Sequence, residues 1–245
     1  MRIVLGFILT PVFYLLFCFF LGIFHPIQWL SLKLGGYNAH KKSVDILNFF
    51  LNYSQLIMLN WVCLKQRFKL PKNRSILFVS NHQSSFDIPG LIYYFRKFHG
   101  KFVSKIELSK AKIPSISFNL LHGGAANIDR NNPELSKREI AKLADNMRNK
   151  KWSAFIFPEG TRSKDGIMKP FKIGGIETFA NLVPDLLIVP VAISGSYNIV
   201  RRGPFPLMPF NKIKWEVLEP IELRGKNIAD IVKAAENAIR NKISK

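Results

Sequence analysis

Residues 76–87 read Ile-Leu-Phe-Val-Ser-Asn-His-Gln-Ser-Ser-Phe-Asp. The four apolar residues at the start are typical of a buried strand, and Ser-Asn-His marks the end of that strand at a turn. A helix is predicted over residues 86–98, directly after the turn. This order places His82 on the loop and Asp87 in the first helical turn, where its carboxylate can orient the imidazole and favour one tautomer.

A histidine held beside a carboxylate can take a proton from an alcohol, which makes His82 a candidate general base. An alternative interpretation is that Asn81 and His82 only cap the following helix. The same His–Asp spacing occurs at His40 and Asp45, but no apolar strand precedes that copy. The sequence therefore favours the pair at His82 and does not predict a catalytic role for His40.

A second cluster of polar residues follows another apolar run, Ser-Ala-Phe-Ile-Phe at residues 153–157. Pro158-Glu159-Gly160 must end that strand. Gly160 allows backbone N–H groups to converge, Thr161 adds a hydroxyl group, and Arg162 adds a fork of donors suited to phosphate. Taken alone, this stretch also fits an ordinary turn with an ordinary surface charge.

Two such clusters, each at the carboxyl end of a predicted strand, indicate a binding site, because ligands bind at that edge of open α/β sheets. A general base beside an anion-binding turn predicts group transfer to the hydroxyl of a phosphorylated acceptor.

Strand-like and helix-like patterns alternate along the rest of the chain, which predicts a layered α/β fold with a largely parallel central sheet flanked by helices. Helices are predicted at residues 133–149 and 226–243, and a further one opens at Gly174. Residues 201–209, rich in Pro and Gly, are predicted to form a loop at the edge of the site or of a membrane. The predicted strands are residues 76–80, 102–104, 127–129, 154–157, 187–193 and 213–217.

The N-terminal part of the chain is strongly apolar. Residues 3–32 contain no Asp, Glu, Lys or Arg, and a helix over residues 3–24 would be about 33 Å long, enough to cross the hydrocarbon core. Residues 44–64 form a second apolar segment, which carries a polar stripe at helical spacing that favours a helix lying in the membrane interface. The stripe consists of Asp45, Asn48, Asn52 and Gln55.

These segments predict a membrane-anchoring helical hairpin in residues 1–66 and an α/β domain in residues 67–245. Two helices that cross the bilayer are the alternative. In both arrangements the two ends of the hairpin emerge on the same side, and the excess of Lys and Arg favours the cytoplasmic face.

The net charge of +20 lies mostly outside the apolar segments. Residues 1–64 hold four basic and one acidic side chain, so the other 32 basic and 15 acidic ones lie in residues 65–245. This imbalance favours anionic lipid headgroups, an anionic substrate, the phosphates of coenzyme A or an acidic carrier protein. No nucleic-acid motif accompanies the charge, so nucleic acid is not an expected partner. Cys18 and Cys63 lie in the apolar segments and are expected to be reduced, and no metal or other cofactor is expected.

Residues 81–87 and 157–163 resemble two motifs of the glycerophospholipid acyltransferase family, the His-x4-Asp motif and the acceptor-binding motif. Three further stretches, at residues 105–108, 123–130 and 189–195, resemble other blocks of that family in the same order. The resemblance covers about residues 75–200. The subgroup that it fits best is the bacterial 1-acyl-glycerol-3-phosphate acyltransferases.

The resemblance implies transfer of a fatty acyl group from acyl-CoA or acyl-carrier protein to the sn-2 hydroxyl of 1-acyl-glycerol-3-phosphate (lysophosphatidic acid). The product would be phosphatidic acid, formed on the cytoplasmic face of the inner or plasma membrane. His82 would act as general base and Asp87 as the orienting carboxylate. The residues expected to bind substrate are Glu159, Gly160, Thr161, Arg162, Arg130 and Lys105.

Within that set, Glu159 would contact the acceptor or brace Arg162, and Arg130 and Lys105 would bind the acceptor phosphate or the donor. Three alternatives to this function stay open. In the first, the acceptor is another lysolipid, such as a lyso-ornithine lipid or a lysophospholipid. In the second, the chain is a basic membrane-tethering module without activity. A metal hydrolase built on His82 and Asp87 is the third alternative, although further clustered ligands are missing from the sequence.

Overall fold

A computed structural model of the chain, which describes residues 1–243, contains one eight-stranded sheet with helices on both faces. Neighbouring strands are parallel except that β6 runs antiparallel to β7 and β8. The predicted α/β fold with a largely parallel sheet is therefore confirmed. In spatial order the strands are β1 (Trp61–Gln66), β7 (Lys212–Val217), β6 (Leu187–Ser194), β2 (Ile76–Ser80), β5 (Ser153–Ile156), β3 (Gly100–Lys105) and β4 (Ala126–Ile128), and β8 (Ile221–Glu222) pairs with β6.

Strand β2 lies inside the sheet, and all five of its residues are buried. Leu77 and Val79 face one apolar cluster, whereas Ile76 and Phe78 face another on the opposite side of the sheet. The sequence of a strand that is covered on both faces is a continuous apolar run. This explains why the bounds of β2 were predicted correctly. The first cluster is completed by α5 (Pro133–Lys150), α6 (Gly174–Leu182) and α8 (Ile228–Ile243), and the second by α1 (Arg2–Tyr53) and α2 (Asp87–Tyr94).

Helix α1 is two helices joined at Gly36, whose backbone (φ 67°, ψ −164°) is not helical. Phe20 and Phe24 from the first half contact Phe50 from the second, with ring centroids 4.7 and 6.0 Å apart. These contacts bring the halves back against each other, so the predicted helical hairpin is confirmed as part of the fold. Among the described residues, one helical segment, Arg2–Met58, is long and apolar enough to cross a membrane on length and composition alone, and only 17% of its most apolar stretch is buried. This segment comprises α1 and the 3-10 helix that follows it.

The second predicted apolar segment, residues 44–64, is not one helix. Helix α1 ends at Tyr53, a 3-10 helix follows over Ser54–Met58, and Leu59 stops it in a left-handed conformation. Strand β1 then begins at Trp61 and pairs with β7. The prediction was wrong here because this edge strand continues the apolar composition of the helix before it.

The sheet therefore starts inside the segment that was assigned to the anchor, residues 1–66. The last two residues of the predicted α/β domain, 244 and 245, lie outside the described part of the chain. Four other short elements had no prediction: β8 and the helices α3 (Ile106–Lys110), α4 (Ile116–His122) and α7 (Ser196–Val200). They are two to seven residues long, which is too short for a hydrophobic period to be read.

Polar contacts attach the first half of α1 to the α/β part of the chain over most of its length. Four of them are made by residues of the loop at 204–210, and two more are made by Ser115, whose backbone N–H donates to His25 Nδ1 (3.1 Å) and whose hydroxyl donates to the Leu21 carbonyl (2.7 Å). The loop contacts are Arg2 to the Pro209 and Phe210 carbonyls (2.7 Å each), the Leu207 N–H to Thr10 Oγ1 (2.9 Å) and Tyr14 to the Pro204 carbonyl (2.7 Å).

The turn of the hairpin is also attached to the α/β part. Tyr37 lies 2.9 Å from His99 Nε2 through its hydroxyl, and its ring stacks on Trp152 with centroids 5.0 Å apart. Since both the first half and the turn are held, the orientation of the hairpin relative to the sheet is fixed.

Gly90 of α2 offers a test of this packing beside the candidate site. A Cβ at Gly90 would lie 2.2 Å from Cζ2 of the fully buried Trp215, whose indole N–H donates to the Asp87 carbonyl at 3.2 Å. We expect Gly90→Ala to lower the free energy of unfolding by about 1–3 kcal/mol, the usual cost of overpacking. Gly174→Ala is the control, because no atom lies within 4 Å of its Cβ position. Chemical unfolding in detergent measures both, and equal stability of the two variants would contradict this packing.

Candidate active site

The candidate active site lies at the edge of the sheet where the parallel strands β2 and β5 end, at Ser80 and Ile156. His82 Nδ1 lies 2.8 Å from Asp87 Oδ2, so the two residues singled out in the sequence form a pair. A carboxylate can only accept at that position, which places the proton of the neutral imidazole on Nδ1 and the lone pair on Nε2. The side chain of His82 is 16% exposed, whereas that of Asp87 is completely buried.

Hydrogen bonds balance the buried charge of Asp87. Its Oδ2 also accepts from the backbone N–H groups of Gln83 (2.7 Å) and Ser84 (2.9 Å), and its Oδ1 accepts from the Ser196 hydroxyl. A buried carboxylate is costly unless such donors surround it. These bonds also fix the direction of the carboxylate, and hence the plane of the His82 ring.

Asn81 joins the loop to strand β6. Its side chain donates to the Ile193 carbonyl at 2.9 Å and accepts from the Ile193 N–H at 2.8 Å. The N-cap residue of α2 is Phe86, and no side chain caps it by a hydrogen bond. The alternative interpretation, in which Asn81 and His82 only cap the helix, is therefore wrong.

The backbone of His82 is bonded on both sides to the turn that follows β5. Its N–H donates to Glu159 Oε1 at 2.7 Å, and its carbonyl accepts from the Ser163 N–H at 2.8 Å. The imidazole also stacks on Phe157, with ring centroids 4.0 Å apart and an interplanar angle of 12°. The two sequence clusters, separated by more than 70 residues, are thus one connected structure.

Glu159 is buried, and both of its carboxylate oxygens accept from backbone N–H groups. Oε1 accepts from His82, and Oε2 accepts from Lys169 at 2.8 Å. Burial raises the pKa of Glu159, and the N–H groups of Lys169 and His82 oppose that shift. Glu159 therefore links the two loops by hydrogen bonds. It does not bond to Arg162, which was one of its two predicted roles.

The second cluster opens to solvent after Glu159, from the half-buried Gly160 to Arg162. Gly160 has a left-handed backbone (φ 73°), which glycine adopts without strain. Thr161 and Arg162 are exposed, and the Arg162 guanidinium donates to Ser85 Oγ at 2.6 Å. That bond uses one of five guanidinium N–H donors and holds the side chain over the loop that carries His82. An anion bound by this turn would lie close to the imidazole.

Lys105 and Arg130 lie farther along the same edge. Lys105 is the last residue of β3, Arg130 follows the end of β4 by two residues, and both are exposed. At about 4.8 Å per strand, β3 and β4 lie about 10 and 15 Å to the side of β2. The structure therefore brings all the predicted site residues to one edge, with these two at its periphery.

The second His-x4-Asp copy forms no such pair. Asp45 bonds to Lys41. His40, in the second half of α1, is buried against Phe118 of α4. Within residues 1–243, no group of three or more His, Cys, Asp or Glu side chains is arranged to hold a metal ion.

Ser196 is the site residue that the sequence interpretation missed. It is completely buried, and its partner Asp87 lies 109 positions away in the chain. No local pattern marks it. However, it follows the end of β6, a third strand that ends at this edge, so its place in the strand order is the signal that would have found it.

A family model described as Acyltransferase matches residues 62–194, more than half of the chain. The chain belongs to the acyltransferase family. The matched range includes His82, Asp87, Glu159 and Arg162, and it ends at the last residue of β6.

Three individual proteins show how far the similarity extends. The chain is 33% identical to the chloroplastic 1-acyl-sn-glycerol-3-phosphate acyltransferase BAT2 of Brassica napus over 146 residues, which is 59% of this chain and 40% of that protein. It is 25% identical to the 1-acyl-sn-glycerol-3-phosphate acyltransferase of Haemophilus influenzae over 190 residues, 74% of this chain and 75% of that one. The chain thus spans about 40% of the length of the plant relative.

The crystal structure of the 1-acyl-sn-glycerophosphate (LPA) acyltransferase PlsC from Thermotoga maritima superposes with a TM-score of 0.80. The superposition covers 100% of this chain and 97% of that one, at 23% sequence identity. At this identity the likeness establishes the fold, including the N-terminal hairpin.

Ser196→Ala tests whether the buried hydroxyl helps to position the pair. Without it, Asp87 Oδ1 loses its donor, and a lost bond to a buried charge costs about 1.5–3 kcal/mol. We expect kcat of acyl transfer to fall roughly tenfold or more, with the acceptor KM little changed and with a shifted pH dependence of kcat/KM. A fall in thermal stability with unchanged kcat and pH profile would mean that Ser196 is only structural.

Proposed function

We propose that this chain is a 1-acyl-sn-glycerol-3-phosphate acyltransferase, which forms phosphatidic acid from lysophosphatidic acid and an acyl thioester. The observation that carries the proposal is the His82–Asp87 pair, connected through Glu159 and Ser163 to an exposed turn that bears Arg162. The activities named for the Brassica napus and Haemophilus influenzae relatives support the choice of acceptor.

The proposed reaction begins when His82 Nε2 takes the proton from the free hydroxyl of the acceptor. Asp87 keeps the ring in place and stabilises the imidazolium that forms. The acceptor oxygen then bonds to the thioester carbonyl carbon, and the carbon–sulfur bond breaks. The thiolate leaves and takes the proton from His82, which returns the imidazole to its starting state.

The acceptor phosphate is proposed to bind at the turn formed by Gly160, Thr161 and Arg162. Arg162 is exposed and held next to Ser85 on the loop of His82, so a bound phosphate would place its glycerol hydroxyl towards the imidazole. Lys105 and Arg130 lie farther along the edge, where they suit the phosphates of a bulky donor. Acyl-CoA and acyl-carrier protein both fit this basic edge.

The hairpin is proposed to lie in the interface of one leaflet, on the cytoplasmic side, as an anchor for the α/β domain. Its first half is bonded to the α/β part from Arg2 to His25, so lipid can cover only its outer side. Phe13 and Phe17 of this half pack against Phe86, next to Asp87. A lysolipid in the bilayer would therefore meet the site beside the helix that anchors the protein.

The direct test is acyl transfer in lipid vesicles, with lysophosphatidic acid and either thioester donor. We expect phosphatidic acid from the wild type and about 100- to 10,000-fold slower turnover in His82→Ala, the usual contribution of a general base. His122→Ala is the matched control, because this exposed histidine lies at the end of α4, away from the pair, and should leave the rate unchanged.

The outcomes separate the two parts of the proposal. Most of the activity retained in His82→Ala would remove His82 as the base. If the wild type gives no product with either donor, the acceptor is wrong, and lyso-ornithine lipid and lysophospholipids without a terminal phosphate are the next acceptors to offer.

Arg162→Lys tests the phosphate turn. Lysine keeps the positive charge but loses the planar fork, so the acceptor KM should rise while kcat changes less. Steady-state kinetics over a range of lysophosphatidic acid concentrations measure this. An unchanged acceptor KM would exclude Arg162 from phosphate binding.

A further inference from the structure

Several large apolar side chains are exposed in the chain beyond the hairpin, and four of them lie in two neighbouring segments. Trp61 is 70% exposed, Phe205 50%, Phe210 47% and Leu59 43%. We call these four residues the aromatic rim. They belong to two segments: Leu59 and Trp61 lie just before and at the start of β1, and Phe205 and Phe210 lie in the loop between α7 and β7.

Backbone contacts hold the two segments of the aromatic rim side by side. The Phe210 N–H donates to the Met58 carbonyl at 3.3 Å, and the Trp61 N–H donates to the Asn211 carbonyl at 2.8 Å. The Phe205 ring packs on the ring of Phe7 in α1, with centroids 5.4 Å apart. The aromatic rim is therefore continuous with the outer face of α1.

The outer face of α1 is apolar along its first half. Its exposed large side chains include Val4, Phe7, Ile8, Val12, Leu15 and Phe19. Together with the aromatic rim they form an apolar surface that extends from the helix onto the sheet domain. Exposed apolar surface of this extent is typical of an interaction site.

Two residues of the aromatic rim have a backbone conformation that their side chains disfavour. Leu59 has φ 53° and Phe210 has φ 60°, both in the left-handed region. That conformation costs an ordinary side chain roughly 1–2 kcal/mol, and Gly or Asn is the usual occupant. Since neither side chain is buried, the stability of the fold does not explain an apolar residue at these positions. A contact with a surface outside the protein would explain the apolar residues at these two positions.

The sequence on both sides of Phe205 and Phe210 carries charges of one sign. Residues 186–215 contain four basic and no acidic side chains. Arg201 and Arg202 are exposed, and Lys212 is the register partner of Trp61 in the pairing of β1 with β7. Arg2 lies against Phe210, with its guanidinium carbon 6.0 Å from the ring centroid.

We propose that the aromatic rim is a second membrane contact, which inserts at the headgroup level of an anionic bilayer. Trp and Phe on an apolar surface, bordered by Arg and Lys, suit that region, where rings meet acyl carbonyls and cations meet phosphates. The continuity with the outer face of α1 favours a bilayer over an acidic protein or a second copy of this chain. The proposal rests on the proposed membrane contact of the hairpin and does not depend on the acyltransferase reaction.

The hairpin and the aromatic rim together would fix how the α/β domain sits on the membrane. Helix α7 begins at Ser196, which bonds to Asp87, and ends at Val200, directly before the loop that carries Phe205 and Phe210. Insertion of that loop would therefore hold the edge of the sheet with His82 at the bilayer surface. A hairpin alone would anchor the protein at one side of the domain.

Tryptophan fluorescence gives a specific test on the full chain. Of the four tryptophans, Trp61 and Trp29 are exposed, whereas Trp152 is 7% exposed and Trp215 is fully buried. The Trp29→Phe variant therefore reports on Trp61, and Trp29→Phe with Trp61→Phe is the matched control. Both are bound to phosphatidylglycerol vesicles that contain phosphatidylcholine brominated near the headgroup or near the chain end.

We expect Trp29→Phe to be quenched more by bromine near the headgroup than by bromine at the chain end, and the control variant to lose that quenching. Vesicle-bound Trp29→Phe that no brominated lipid quenches would overturn the proposal. Shielding of Trp61 from acrylamide that appears only with an acidic carrier protein, or only at high protein concentration, would overturn it in favour of those partners.

Leu59→Asn with Phe210→Asn tests the contribution to binding. Asparagine tolerates the left-handed conformation, so the fold should be retained and thermal stability should not fall. We expect the partition coefficient for anionic vesicles to fall roughly tenfold, because two apolar side chains no longer insert. Unchanged partition by a variant that is as stable as the wild type would contradict the proposal.

Discussion

The backbone of His82 makes two hydrogen bonds to the turn at residues 159–163, one as donor and one as acceptor. The geometry of the whole site depends on these two bonds. The N–H donates to Glu159 at 2.7 Å, and the carbonyl accepts from Ser163 at 2.8 Å. Glu159 is buried, and a buried carboxylate is tolerated only when donors surround it. Its second oxygen is bonded to Lys169, so the same side chain also holds the return of that loop. We therefore expect a change in this turn to displace the imidazole.

The parallel strands explain why these residues meet. Adjacent strands β2 and β5 end at one edge and deliver His82 and Glu159, while β6, on the other side of β2, delivers Ser196 to Asp87. The imidazole thus has a fixed carboxylate on one nitrogen and a fixed backbone. Few of these positions depend on flexible side chains, which suits a site that must be pre-organised.

The elements that the sequence predicted well are the strands buried on both faces of the sheet and the long amphipathic helices. Strands such as β2 and β6 are continuous apolar runs, and α5 and α8 show a clear helical period. The half-exposed β1 was missed because its apolar composition continues that of the helix before it. The His82–Asp87 pair was predictable because it spans a single turn. The roles of Glu159 and Ser196 depend on contacts across 77 and 109 residues, which only the strand order determines.

Steady-state kinetics of Glu159→Gln measure most directly whether this carboxylate positions the imidazole. Glutamine keeps one acceptor oxygen, but its amide group faces a backbone N–H, so only one of the two loops remains bonded. If Glu159 holds His82 in place, kcat should fall by roughly 10- to 100-fold with little change in the acceptor KM, since small displacements of a base are costly. A rise in the acceptor KM with kcat unchanged would contradict this, because it would make Glu159 a contact of the substrate.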